Sequence, residues 1–108
     1  MTESRGLTDE IADPPTRPGA VVRVIRIVNE KGLHARASAK FVQTVEKFDA
    51  DVRVMRSGET VGGTSIMGLM MLAAASGTSI IVEATGNEAA QVVEALTVLI
   101  NSRFGEDD

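Results

Sequence analysis

The sequence predicts an α+β fold: an open-faced, two-layer sandwich in which a four-stranded antiparallel sheet carries three helices on one face. Three observations predict it. Segments rich in β-branched residues alternate with segments whose apolar residues recur at helical spacing. Their order along the chain reads β-α-β-β-α-β-α. The helical segments present apolar stripes that a second layer must cover. The order of the strands within the sheet is not legible in such periodicity.

Residues 1 to about 20 contain all three prolines (Pro14, Pro15 and Pro18), several charges and few bulky apolar side chains. They read as a disordered extension ahead of a domain that begins near Val21. Val22 to Val28 is β-branched, with Arg23 and Arg26 between apolar residues, and predicts the first strand. Asn29-Glu30-Lys31-Gly32 is a polar turn. From Ala35 to about Phe48, Ala37, Phe41, Val45 and Phe48 form one stripe, with Lys40, Gln43, Glu46 and Lys47 elsewhere; this is an amphipathic helix. Asp51 to Arg56 alternates and predicts a second strand. Ser57-Gly58-Glu59 turns the chain into a short third strand around Thr60-Val61-Gly62.

Ser65 to about Ala75 is a short apolar helix with Ser65 as N-cap and Gly77 as its stop. Thr78 to Ala84, centred on Ile80, Ile81 and Val82, is the fourth strand. Asn87 is the expected cap of a last helix. That helix would bury Ala89, Val92, Val93, Leu96, Leu99 and Ile100. Residues 105–108, Gly-Glu-Asp-Asp, read as a frayed acidic tail.

Composition narrows the function. The chain has 108 residues, enough for one small domain. With three Phe and no Trp or Tyr, the core must be aliphatic. A net charge of −4 and the lack of stacking aromatics argue against nucleic acid as a partner. There is no cysteine, which excludes disulfides, iron–sulfur clusters and the usual zinc sites. A single histidine argues against a transition-metal centre. No apolar run approaches the roughly 20 residues of a membrane helix, and the N-terminus shows no signal pattern. The expectation is a soluble cytoplasmic protein that uses neither metal nor cofactor.

The single histidine, His34, lies in Gly32-Leu33-His34-Ala35-Arg36-Ala37-Ser38, between a strand and a helix. The first amides of a helix have no intrahelical partner and sit at the positive end of its dipole. An anion such as phosphate is stabilised there. Arg36 adds a guanidinium fork suited to phosphate oxygens. A neutral imidazole is a competent nucleophile, and an ordinary one is well populated in that form near neutral pH. The stretch therefore offers a phosphoryl acceptor (His34), a charge stabiliser (Arg36) and a backbone cradle (Ala35 and Arg36). The stretch lacks what a kinase would need, a Gly-rich nucleotide loop and a magnesium-binding carboxylate cluster. Taken alone, His34 and Arg36 are better read as an ordinary helix start. A second feature shifts the balance.

In Thr64-Ser65-Ile66-Met67-Gly68-Leu69-Met70-Met71-Leu72, Leu69 and Leu72 point inward at helical spacing. Ile66, Met67, Met70 and Met71 are left to divide between core and surface, and a short helix cannot bury them all. The expectation is an exposed, adaptable apolar patch for partner docking. A phosphate on Ser65 would add about −1.5 to −2 charge units at a helix N-terminus. The helix would tolerate it; an acidic partner approaching the patch would not.

The two motifs together, at this spacing and in this order of elements, resemble the histidine-containing phosphocarrier family HPr of the bacterial phosphoenolpyruvate-dependent phosphotransferase system. The resemblance spans about Val21 to Phe104. It implies that phosphorylated enzyme I modifies His34 at Nδ1, that an enzyme IIA domain receives the group, and that Arg36 stabilises it. It implies that Ser65 is the target of an HPr kinase/phosphorylase and that Ile66, Met67 and Met70 form the docking surface. It implies a monomer that acts as a stoichiometric carrier and not as an enzyme. Three departures stand out: Ala37 replaces a frequent proline, Gly68 and Met71 replace residues that are often basic or polar, and the N-terminal extension is additional. These resemble the regulatory, nitrogen-type variants of the family. Two other readings compete with the carrier: a regulatory binding module switched at Ser65 with His34 incidental, and a generic small ligand-binding domain.

Overall fold

A computed structural model of the chain describes residues 17–106. Its sheet holds β1 (Val21–Arg26), β2 (Asp51–Arg56), β3 (Glu59–Gly62) and β4 (Ser79–Thr85). In space the strands run β1-β4-β2-β3, with every pairing antiparallel. The last strand is thus inserted between the first two. Helices α1 (Ala35–Val45), α2 (Ile66–Met71) and α3 (Ala89–Asn101) cover one face. Alternation along the strands explains which face. Ile25, Val52, Val54, Ile80, Val82 and Ala84 point toward the helices and join one core with Phe41, Leu69, Val92 and Leu96. Val22 and Val24 on the opposite face stay exposed.

Element ends differ from the periodic reading where local hydrogen bonds intervene. β1 covers Val21–Arg26 instead of 22–28, but Ile27 still donates to the Thr78 carbonyl at 2.7 Å. α1 stops at Val45 instead of near Phe48, because Lys47 and Phe48 bond three residues back and tighten the last turn. α2 stops at Met71 instead of near Ala75. Ala73, at φ 53°, takes the left-handed position after that helix that the sequence assigns to Gly77. Gly77, at φ 89°, instead turns the chain into β4 and donates to the Ile27 carbonyl at 2.7 Å. Asn87 does not cap α3: its amide donates to Asp49 Oδ2 at 2.9 Å, and Glu88 occupies the cap position. Leu99 is only half-buried, while the other five expected core residues of α3 are buried.

Both chain ends of the described region are tied down. The extension expected over residues 1–20 lies outside the described residues up to 16. Arg17, however, is engaged on the open face of the sheet. Its backbone N–H donates to Glu83 Oε2 at 2.6 Å and its Nε to Glu83 Oε1 at 3.0 Å. Its Nη1 reaches Asp51 Oδ2 at 2.5 Å. After α3, a 3-10 turn (Arg103–Gly105) seats Phe104 in the core at 1% exposure. Gly105 belongs to that turn and Glu106 is bonded inward, so this part of the expected frayed tail is ordered by contacts. Residues 107 and 108 lie outside the described residues.

Glu83 is the one acidic side chain buried in the sheet among the described residues. Its cross-strand partner Arg53 donates to it twice, at 2.6 and 3.2 Å. That guanidinium holds the Glu83 carboxyl down to about 2 from an ordinary 4.5; burial opposes this, and Arg17 adds to it. A depressed carboxyl contributes stability above its unfolded value, and that contribution is lost as pH falls through 4.5 toward 2. Its full size is about 3 kcal/mol. We expect a wild-type melting temperature that drops across this window and a Glu83→Gln chain that is less stable at pH 7 but loses less on acidification. Thermal melts at stepped pH check both.

Candidate functional site

The site begins with a turn that has to be glycine. Gly32 sits at φ 68°, and a Cβ there would lie 2.4 Å from the Ala74 carbonyl oxygen. The missing side chain lets the chain pass under the segment after α2, where Leu33 N–H donates to that same oxygen at 3.0 Å. Leu33 is buried, and the next residue emerges at the surface.

His34 is the N-cap residue of α1, with extended backbone and no side-chain cap bond. Its carbonyl accepts the first helical bond, from Ser38 N–H at 2.8 Å. The amides of Ala35, Arg36 and Ala37 therefore have no partner within the helix. Ala35 and Arg36, the residues of the expected cradle, are both exposed. Arg36 lines the same cleft as His34, and no described residue occupies its guanidinium. The cleft measures about 600 Å³, and Lys31 and Lys40 also line it. Three cationic side chains and a helix N-terminus around one imidazole make a place for a doubly charged anion.

The imidazole is not isolated. His34 Nε2 lies 2.5 Å from Glu106 Oε2. A carboxylate accepts, so Nε2 carries the proton and Nδ1 is left with the lone pair of the neutral ring. Asn29 Nδ2 donates to Glu106 Oε1 at 3.2 Å and to the Gly32 carbonyl at 2.9 Å. Lys40 Nζ donates to the Phe104 carbonyl at 2.6 Å, tying the 3-10 turn to α1. Sequence reading missed Glu106, Asn29 and Lys40. Glu106 is 72 residues from His34 and looks like any tail carboxylate. No local pattern identifies it.

The second motif folds as expected at its start. Ser65 Oγ accepts from Gly68 N–H at 2.9 Å, capping α2. Gly68 permits this closeness, since a Cβ there would stand 2.9 Å from Ser65 Oγ and 3.0 Å from Val61 Cβ. We expect Ser65→Ala to cost about 1 kcal/mol of stability through the lost cap, read by denaturant unfolding, with the His34 cleft unchanged. Leu69 and Leu72 are buried, while Ile66, Met67, Met70 and Met71 are exposed, Met67 and Met71 by 68% and 72%. The expected apolar patch is therefore present at the surface. A groove of about 210 Å³, lined by His34, Leu33 and Ala73 to Ala75, runs from the histidine to the segment that follows this helix. Among the described residues, no three His, Cys, Asp or Glu converge as a metal site, and no helix is long and apolar enough to cross a membrane.

Comparison with known proteins agrees with this geometry. Residues 21–102 match the family described as "PTS HPr component phosphorylation site". The chain is 54% identical over 84 residues to the phosphocarrier protein HPr of Neisseria meningitidis serogroup A, covering 78% of this chain and 94% of that protein. It is 46% identical over 85 residues to HPr of Pseudomonas aeruginosa, covering 78% and 94%. Among solved structures, HPr-C-His from Thermoanaerobacter tengcongensis superposes with a TM-score of 0.78 at 39% identity, covering 82% of this chain and 99% of that one. HPr from Bacillus anthracis gives 0.73 at 35% identity, covering 76% and 98%. An imidazole among cations at a helix start, carried on this open-faced sandwich and matched over nearly the full length of such relatives, means that the chain belongs to the HPr family, phosphocarriers of the phosphotransferase system that are not themselves catalysts.

Proposed function

We propose that His34 accepts a phosphoryl group on Nδ1 from phosphorylated enzyme I and passes it to an enzyme IIA domain. The observation that carries this reading is the 2.5 Å contact between Nε2 and Glu106, which commits one ring nitrogen and leaves Nδ1 as the nucleophile. Arg36 and the amides of Ala35 and Arg36 supply the charge for the bound group, which is all that phosphoryl transfer chiefly asks of a protein. No cofactor takes part, since phosphoenolpyruvate supplies the group through another protein. Ile66, Met67 and Met70 form the docking surface for these partners. Ser65 is the regulatory site, modified by an HPr kinase/phosphorylase; its phosphate would lie beside the patch and repel acidic partners. The carrier works as a cytoplasmic monomer, as the family resemblance implies, and its net charge of −4 speaks against nucleic acid as a partner.

A regulatory module that never carries phosphate would need only Ser65 and the patch. It would have no use for an imidazole held by its own carboxylate. The test is to incubate the chain with enzyme I, Mg²⁺ and phosphoenolpyruvate and to map acid-labile phosphate under neutral handling. Phosphate on Nδ1 of His34 is the expected result, and an unmodified His34 overturns the carrier reading. A parallel incubation with ATP and HPr kinase/phosphorylase is expected to place acid-stable phosphate on Ser65.

A further inference from the structure

Phosphoryl transfer as proposed uses His34, Arg36 and backbone amides, and leaves Asn29 without a part. Asn29 is wholly buried. Both Nδ2 donations go to acceptors, the Gly32 carbonyl and Glu106 Oε1. That fixes the orientation of the amide and leaves Oδ1 buried with no hydrogen-bond partner. A buried acceptor without a donor is destabilising, and an aliphatic side chain of similar size would avoid the cost. The amide's two donors are what an aliphatic side chain would lack.

What they hold is the partner of the imidazole. The two oxygens of Glu106 are divided: Oε1 takes the Asn29 bond and Oε2 faces His34 Nε2. With Oε1 pinned, the carboxylate cannot rotate away from the ring. The Gly32 carbonyl that receives the other Asn29 bond also accepts from His34 N–H at 2.9 Å. One buried amide therefore braces both the ring's partner and the backbone turn that presents the ring.

We propose that Asn29 is a positioning residue, which holds the Glu106 carboxylate against His34 Nε2 so that Nδ1 is presented to the phosphoryl group. The proposal deepens the carrier reading and rests on it. As the Nδ1–P bond forms, the donor's bond to phosphorus breaks, and the ring becomes an imidazolium that keeps its Nε2 proton. The braced carboxylate faces that new charge. On transfer to the acceptor, the Nδ1–P bond breaks with its electron pair returning to Nδ1, and the ring is neutral again.

The test uses the full ¹⁵N-labelled chain and reads solvent exchange of the His34 Nε2 proton by NMR, with no phosphoryl donor present. Asn29→Leu keeps the volume and removes the donors; Asn29→Asp keeps the shape and sets a negative charge against Glu106. Each is expected to speed exchange about tenfold, and to slow phosphoryl uptake from enzyme I by a similar factor. In a Glu106→Gln background, Asn29→Leu is expected to add nothing, because both act on one contact. Exchange unchanged in both single variants, or an Asn29→Leu effect that adds fully to Glu106→Gln, overturns the proposal. Failure of the carrier reading is separate: the wild-type chain would then take up no phosphate whatever the exchange rates show.

Discussion

We expect His34→Ala to take up no acid-labile phosphate from enzyme I, while its melting temperature stays close to that of the wild type. The loss is complete because no second histidine exists to take over. The fold is expected to survive, because the side chain, 28% exposed, contributes one charge-assisted contact and no part of the core. The stability change is expected within about 1 kcal/mol. Arg36→Ala isolates the contribution of charge. It leaves the nucleophile and the amides in place and removes a guanidinium from the cleft. We expect uptake about 10²-fold slower, the scale seen when one stabilising donor is removed from a developing charge. Arg36→Lys recovers part of that loss, since an ammonium supplies charge without the planar fork. Rapid-quench phosphorylation kinetics separate the three chains.

Gly32→Ala strikes the fold and the site together. The backbone is left-handed at this residue, and the added Cβ would stand 2.4 Å from the Ala74 carbonyl oxygen. That oxygen is main chain and already accepts from Leu33 N–H. It cannot move without breaking the bond that docks the turn. Left-handed strain of about 1–2 kcal/mol and overpacking of about 1–3 kcal/mol add to a loss of roughly 2–5 kcal/mol. A domain of this size holds about 5–15 kcal/mol in total. The variant is expected to unfold well below the wild-type denaturant midpoint. Its surviving folded fraction should accept phosphate slowly, because the turn that aims His34 at the cleft is displaced. Gly19, where an added Cβ would meet nothing within 4 Å, is the matching control: Gly19→Ala carries backbone strain alone.

Much of this molecule is legible in one dimension. The seven expected elements occur in the expected order among the described residues, and β2 has the expected bounds to the residue. Helix periodicity also separates the buried residues of α3 from the exposed ones, with Leu99 between. Errors collect at helix ends, where a few hydrogen bonds decide the matter. Ala73 accepts a left-handed conformation that sequence preference assigns to a glycine, because the Ala74 carbonyl must reach Leu33. Asn87 gives up its cap for Asp49, a residue 38 positions away.

The sequence by itself determined the α+β class, the helix start that carries His34 and Arg36, the Ser65 cap and the surplus of apolar side chains on α2. Each of these is a matter of near neighbours, and spacing along the chain encodes near neighbours directly. Tertiary structure alone decided the strand order, the clasp of Arg17 and Arg53 on Glu83, and the return of Glu106 from the chain's end to His34 through Asn29. Those contacts join residues 30 to 77 positions apart. A polar side chain carries no mark of its distant partner, so the carboxylate that commits one nitrogen of the imidazole becomes visible only once the chain has folded back on itself.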